Sequence, residues 1–387
     1  MQQFKLLFIY GFAIFAMFFG SGNLVFPISV GNDTGESWLF GFLGLMLTGI
    51  ILPFLGFLVI KLYRGSYNCF FNEAGSVARY AIPLFTLSLL GSFGVVPRCI
   101  TVAHGGINML FPNFNLFAFS LLFSGASFFL CLRESTIIKS LGKWMSPLLI
   151  SALVILVVCG IIKSFQTEID LTPAQIIPPE AFSKGFLKGY QMMDLFAAFF
   201  FSSFIFKQIQ DEGFAGRDDK QIIVFAIKAG LIGSLLLGAI YFGFVFLGSH
   251  YSFLIQDVAP EYMLPTIIQH VMGDSSTLFI ASCAIVFSCL TTAIALNNIY
   301  ARYLCDLLKL NETKFPYILL ATTSVSMALS LLDFRGIAAF LAPALNVSYP
   351  GLIVLTLMCL CTKKYQKLKM SLFWGITAVM CFFDFVL

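Results

Sequence analysis

Gly20-Ser21-Gly22-Asn23-Leu24-Val25-Phe26-Pro27 lies inside residues 6–32, a run without a single charged side chain. A helix crosses a bilayer with about 20 consecutive apolar residues, and this run is long enough. Two glycines, an asparagine and a proline within eight residues break such a helix. Backbone unwound at membrane depth survives only where it is buried in protein or lines a cavity. The break frees N–H groups at the start of one half-helix and C=O groups at the end of the other. The first set suits a carboxylate and the second a cation. Close helix packing through small residues is the competing reading. It accounts for the glycines but requires neither Asn23 nor Pro27.

Outward from this stretch, charge-free runs recur at residues 38–60, 108–132, 144–162, 229–248, 275–301 and 336–362. Shorter ones cover 80–97 and 315–332. The alternation of a β-barrel is absent, so the runs are helices. They give eleven segments, at about 5–30, 38–62, 80–106, 113–133, 144–163, 185–208, 221–248, 276–302, 315–332, 336–362 and 370–387. Composition agrees. Hydrophobic residues are 59% of the 387 and charged residues 11%, against roughly 25% charged in soluble domains. Single soluble cores stop growing near about 250–300 residues, and disorder needs the opposite composition. The first run is too long for the apolar region of a signal peptide, so none is expected.

The ten cysteines are scattered without a CxxC pair, and His104, His250 and His270 lack metal-ligand spacing. HExxH and GxSxG are missing. No catalytic constellation is visible, and an enzyme is not expected.

Lysine and arginine set the orientation. With the N-terminus inside, the inner connections hold Lys5, Lys61, Arg64, Arg79, Arg133, Lys139, Lys143, Lys207, Arg217, Lys220, Arg302, Lys309, Lys314, Lys363, Lys364, Lys367 and Lys369. The outer ones hold only Lys163, Lys184, Lys188 and Arg335. Positive residues collect on the cytoplasmic side, so the N-terminus is expected in the cytoplasm. The net charge of +4 marks topology, with no sign of a nucleic-acid partner. The two longest polar connections, 166–184 and 250–274, fall outside and are expected to hold short external helices. The first divides the chain after five segments.

Segment six is the matching position in the second half. It reads Gly189-Tyr190-Gln191-Met192-Met193-Asp194 and continues Leu195-Phe196-Ala197-Ala198. An acid inside a membrane segment is a functional candidate, and interrupted segments in corresponding positions of two halves point to a transporter site. The competing reading places Asp194 at an interface as a helix cap. Segment eight carries Ser288, Thr291 and Thr292 on one helix face. Hydroxyls can ligate a hard cation, or can bond back to their own helix. Two cations lie within segments. Arg98 reads as a gate, as a partner of Asp194, as snorkelling, or as a bond to backbone carbonyls, while Lys228 reads as snorkelling toward the cytoplasm.

At these residues the chain resembles the bacterial branched-chain amino acid carriers, the LIVCS or BrnQ-type family. The likeness rests on residues 11–31 with the GSGNLVFP core, on Val96-Pro97-Arg98 with Thr101-Val102, on Gly189-Tyr190 through Met193-Asp194, and on Cys289-Leu290-Thr291-Thr292-Ala293. It runs over essentially the whole chain. It implies an all-α polytopic membrane protein with the LeuT-like 5+5 inverted-repeat fold of the amino acid–polyamine–cation superfamily, with helices 1 and 6 broken. The repeats are then 1–164 and 185–362, with an external connection at 165–184 and a terminal helix at 363–387. Members of that family usually continue to a twelfth helix, whereas Leu387 falls in segment eleven. The terminal helices lie outside the ten-helix core, so transport is expected not to depend on them.

The resemblance further implies symport of leucine, isoleucine and valine with a cation, usually Na⁺, in a bacterial inner membrane. No obligatory protein partner is evident. Carried over by position, Ser21, Gly22 and Asn23 hold the substrate carboxylate. The mechanism expected from this has the ammonium meet carbonyls of segment six with help from Asp194, and the aliphatic side chain enter a pocket that includes Met192, Phe196 and Phe200. Ala16, Phe19, Ser288, Thr291 and Thr292 are the implied Na⁺ ligands. The alternatives are a proton-coupled carrier of other neutral amino acids and a non-transporting sensor on a transporter fold.

Overall fold

The first charge-free run folds as two helices, α1 (Gln2–Phe18) and α2 (Ser21–Thr34), with the chain unwound at Phe19 and Gly20. The structure is a computed structural model and describes residues 2–132, 146–165, 176–212, 219–273, 275–362 and 364–386. Arg133, Lys139, Lys143, Arg217 and Lys363, with residues 166–175 of the first external connection, lie outside the described residues.

Segment two is α3 (Trp38–Met46) and α4 (Leu52–Leu62), joined by a π-helical turn at Leu47–Ile51. After the short α5 (Tyr67–Phe71), segment three is divided into α6 (Ala78–Leu90) and α7 (Val95–Asn108). Gly91 and Gly94 flank this interruption, which the charge-free run alone did not reveal. Segments four and five are α8 (Leu116–Leu132) and α9 (Ser146–Ser164). Segment six is α10 (Pro178–Met192) and α11 (Asp194–Glu212), bent by 43° at their junction. Segment seven is α12 (Asp219–His250). The long connection after it holds α13 (Ser252–Ile255) and α14 (Pro260–Met272). Segments eight to eleven are α15 (Ser275–Leu307), α16 (Phe315–Ser330), α17 (Asp333–Cys361) and α18 (Gln366–Val386). Each charge-free run found in the sequence is thus mostly helix among the described residues, with interruptions at Phe19–Gly20, at 91–94 and at 109–115.

Two tight helix pairs position the breaks. The α2 backbone meets α12 where Gly31 faces the Val245 carbonyl and Gly248 faces the Ile28 carbonyl. The α10 backbone meets α3 where Gly185 faces the Gly41 carbonyl and Gly44 faces the Phe182 carbonyl. Small residues allow backbones to approach this closely, which is the main route to helix association in lipid. Segment one thus locks onto seven as segment six locks onto two. Phe15, Phe19, Phe196, Phe199 and Phe201 fill the interior between them. Leu122, Phe129 and Leu235 lie bare on the outside, as acyl chains require and water does not. The terminal helix α18 clasps the turn before α6. Lys369 Nζ is 2.8 Å from Glu73 Oε2, and Trp374 Nε1 donates to the Ala74 carbonyl at 2.9 Å.

α14 packs over α2 and α7 and brings a buried acid with it. Glu261 is 7% exposed, and its Oε2 has no hydrogen-bond partner. Burial raises its pKa above the ordinary carboxylate value, opposed in part by backbone N–H groups. A raised acid favours the folded state while protonated, and that contribution fades as pH climbs from the unfolded value, about 4.3, through the folded one. Glu261→Gln is therefore expected to hold its melting temperature between pH 5 and pH 8 better than the parent protein in thermal melts of detergent-purified samples. An equal decline in both would refute this account.

Candidate functional site

At the first break the chain gives its N–H groups an unusual assignment. The Gly20 N–H turns to Asn23 Oδ1 at 2.9 Å. An uninterrupted helix would instead send it to the Ala16 carbonyl, four residues back. Ala16 thus presents a carbonyl without its ladder donor. On the other side, Ser21, Gly22 and Asn23 form the first turn of α2, where N–H groups have no intrahelical acceptor. All three residues are buried. The Cys99 thiol donates to Ser21 Oγ at 3.5 Å.

The second break is a single residue. Met193 adopts the left-handed conformation (φ 62°) and closes α10, with its N–H on the Tyr190 carbonyl at 3.1 Å. Such a conformation costs a non-glycine residue on the order of 1 kcal/mol and persists only where the surroundings impose it. Asp194 then opens α11 at 4% exposure. It is no interfacial cap, because its carboxylate faces the first break. Asn23 Nδ2 donates to Asp194 Oδ2 at 2.8 Å and also to the Tyr241 hydroxyl. Tyr241 in turn donates to Asp194 Oδ2 at 3.2 Å. Segments one, six and seven thus share one buried polar knot.

The other proposed site residues divide. Met192 sits in the seam, its Cα 3.5 Å from where a Gly22 Cβ would lie and its sulfur close to Gly49 in the π-helical turn. Phe196 stacks on Tyr349 at 4.7 Å, and Tyr349 stacks on Tyr190 at 4.6 Å. Phe200 points elsewhere, packing against Tyr67 and Phe71 of α5. Six residues along a helix is about 9 Å of rise, which carries Phe200 away from Asp194. Tyr241 and Tyr349 were not picked out from the sequence, and Tyr190 was quoted only as part of the segment-six motif. A hydroxyl in an apolar run was their only signal.

The hydroxyls of α15 meet the other end of the first break. Ser288 Oγ donates to the Phe19 carbonyl at 3.0 Å and Thr292 Oγ1 to the same oxygen at 3.4 Å. Thr291 turns away and bonds back to the Ser288 carbonyl at 2.9 Å. One unwound carbonyl and two hydroxyls make a set of neutral oxygens, the donor type of a hard monovalent or divalent cation. Among the described residues no cluster of three or more His, Cys, Asp or Glu could hold a metal.

Arg98 takes the last of its sequence readings, the bond to a backbone carbonyl. It is 1% exposed, and Nη1 donates to the Gln191 carbonyl at 2.6 Å, in the last turn of α10. Lys228 is exposed near the start of α12.

A sequence profile described as "Branched-chain amino acid transport protein" matches residues 3–385. The chain belongs to that family. It is 28% identical over 371 residues to the branched-chain amino acid permease BraB of Bacillus subtilis, covering 93% of this chain and 80% of that one. Against the permease BrnQ of Haemophilus influenzae it is 27% identical, covering 98% and 86%. The branched-chain amino acid transport system 3 carrier protein of Pseudomonas aeruginosa is 29% identical, covering 91% and 79%. Among solved structures, the fold matches an Eremococcus coleocola manganese transporter mutant with TM-score 0.67 at 14% identity, over 98% of this chain and 86% of that one. It also matches MhsT in complex with L-phenylalanine, with TM-score 0.54 at 14% identity and 97% coverage of each. At such identities the likeness concerns the fold alone, which is LeuT-like. The family is one of multi-pass bacterial membrane transporters.

Proposed function

We propose that the chain is a symporter of leucine, isoleucine and valine, driven by a cation gradient, with Na⁺ as the coupling ion. The observation that carries the reading is the meeting of the two helix breaks at Asn23 and Asp194, with free amides on one side and helix-end carbonyls on the other. The substrate carboxylate binds the N–H groups of Ser21, Gly22 and Asn23, where the α2 dipole favours negative charge. Its ammonium faces Asp194 and the carbonyls that close α10. The aliphatic side chain enters the space bounded by Met192, Phe196 and Tyr349. Such a pocket separates substrates by about 1–3 kcal/mol per methylene, so a carrier shared by the three amino acids is the natural outcome. The orientation proposed places the N-terminus in the cytoplasm and the chain in the bacterial inner membrane.

The cation binds the Phe19 and Ala16 carbonyls and the hydroxyls of Ser288 and Thr292, which reorient to present oxygen. It ties segment one to segment eight. By binding one state more tightly than the other it shifts the equilibrium between them. Uptake of labelled leucine into proteoliposomes, with Na⁺ or H⁺ gradients imposed separately, tests the reading. Saturable accumulation under the Na⁺ gradient is expected. Accumulation under the H⁺ gradient alone would favour a proton-coupled carrier. Binding without movement would favour a sensor.

Removing both hydroxyls probes the cation site directly. Each neutral hydrogen-bonding group contributes about 1 kcal/mol, so Ser288→Ala with Thr292→Ala should raise the Na⁺ concentration for half-maximal uptake about 30-fold. Maximal uptake at saturating Na⁺ should fall far less. An unchanged Na⁺ dependence would remove these residues from the site.

A further inference from the structure

The guanidinium of Arg98 is built for an anion that the polar knot does not supply. It is 1% exposed, inside a membrane helix. Nη1 is taken by the Gln191 carbonyl at 2.6 Å. Nε and Nη2 have no hydrogen-bond partner. Phe26 of α2 and Phe334 of α17 hold the plane, their ring centroids 5.3 Å and 5.4 Å from Cζ. Those two rings are also in contact with each other, at 5.5 Å.

A buried charge in a membrane is costly and is rarely left incompletely bonded without a role. The pattern of the missing bonds is informative. Nε–H and Nη2–H point the same way along one edge of the planar group, with the spacing of the two oxygens of a carboxylate. The anchored Nη1 fixes the plane, so the free edge is held ready. Its location fits an amino acid rather than a structural acid. Phe26 is four residues after Gly22 on α2, and its ring leans back so that Cδ2 lies 3.4 Å from where a Gly22 Cβ would be. Cys99, next to Arg98, already touches Ser21. Gln191, which holds Nη1, belongs to the chain that closes α10 before Asp194.

We infer that the Nε–Nη2 edge of Arg98 is a second carboxylate receptor for the amino-acid substrate, beside the first turn of α2. The inference rests on the reading that an amino acid occupies the paired breaks. The fork adds a charged, two-donor partner to the carboxylate that the amides of Ser21, Gly22 and Asn23 also meet.

Binding of labelled leucine and of leucinamide, which lacks the carboxylate, separates this role from a structural one. Both are measured on detergent-purified full-length protein and on Arg98→Gln and Arg98→Lys. Arg98→Lys keeps the charge and loses the fork, and it serves if Arg98→Gln does not fold. Leucine affinity is expected to fall about 30-fold or more in either variant, while leucinamide affinity changes less than about threefold. The preference for leucine over leucinamide therefore collapses. Equal losses for both ligands would make Arg98 a prop for Gln191 or a partner of Asp194, and would overturn the inference. So would unchanged leucine binding. A parent protein that binds neither ligand and moves no leucine would instead refute the transport reading itself.

Discussion

Asp194→Ala is expected to reduce leucine uptake about 100-fold or more while the protein still reaches the membrane. The carboxylate accepts from both Asn23 and Tyr241. A hydrogen bond to a charged group is worth about 1.5–3 kcal/mol, and two are lost. Tenfold corresponds to about 1.4 kcal/mol, which sets the estimate. Asp194→Asn is the sharper comparison. An asparagine can still turn an oxygen toward Asn23 and Tyr241, so it preserves the knot and removes only the charge. If Asp194 meets the substrate ammonium, Asp194→Asn should be nearly as inactive as Asp194→Ala. If it merely ties three helices together, Asp194→Asn should transport well. Retention of more than half of the parent rate would sink the ammonium role. Tyr241→Phe removes one of those two bonds, so a loss of about tenfold or more is expected.

The two breaks were legible for different reasons. Glycine, asparagine and proline announce the first, because each opposes a helix by its own chemistry. The second carries no such residue at the turn itself. Met193 takes the left-handed conformation although methionine favours helix, so tertiary packing overrides its propensity. What betrayed that position was the acid beside it. The polar knot was half visible. Asn23 and Asp194 stand out in apolar runs, but Tyr241 lies in segment seven and is joined to them only by the fold. Phe200 was misplaced by treating the residues after Asp194 as one lining, when the helix carries them progressively away. Segment eight shows the limit of spacing arguments. Ser288 and Thr292 reach Phe19, whereas Thr291 is one residue round the helix and bonds its own backbone instead. The glycine break in segment three had a signal, Gly91 and Gly94, and the charge-free run concealed it.

The close pairing of α2 with α12 predicts the largest loss of stability. A Cβ built on Gly31 lies 2.0 Å from the Val245 carbonyl oxygen and 2.6 Å from the Ser249 nitrogen. These are backbone atoms, so no rotamer change can make room. The facing position cannot yield either, because a Cβ on Gly248 would lie 2.1 Å from the Ile28 carbonyl oxygen. Helix α2 must therefore move away from α12 as a unit. Overpacking usually costs about 1–3 kcal/mol, and contact with backbone belongs at or beyond the upper end. At about 1–2 °C per kcal/mol for a chain of this size, Gly31→Ala should lower the melting temperature by about 3–6 °C. Gly31→Leu should fail to yield a monodisperse protein. Gly125→Ala is the control, since nothing lies within 4 Å of its built Cβ, and its melting temperature should hold. The consequence extends to the site. The turn that carries the Ser21, Gly22 and Asn23 amides is the start of the same α2. A Gly31→Ala protein that survives should bind leucine more weakly, although position 31 touches no substrate. If Gly31→Ala melts with the parent protein and binds leucine equally well, α2 is not held by this contact, and the amides must be positioned by the knot at Asn23 alone.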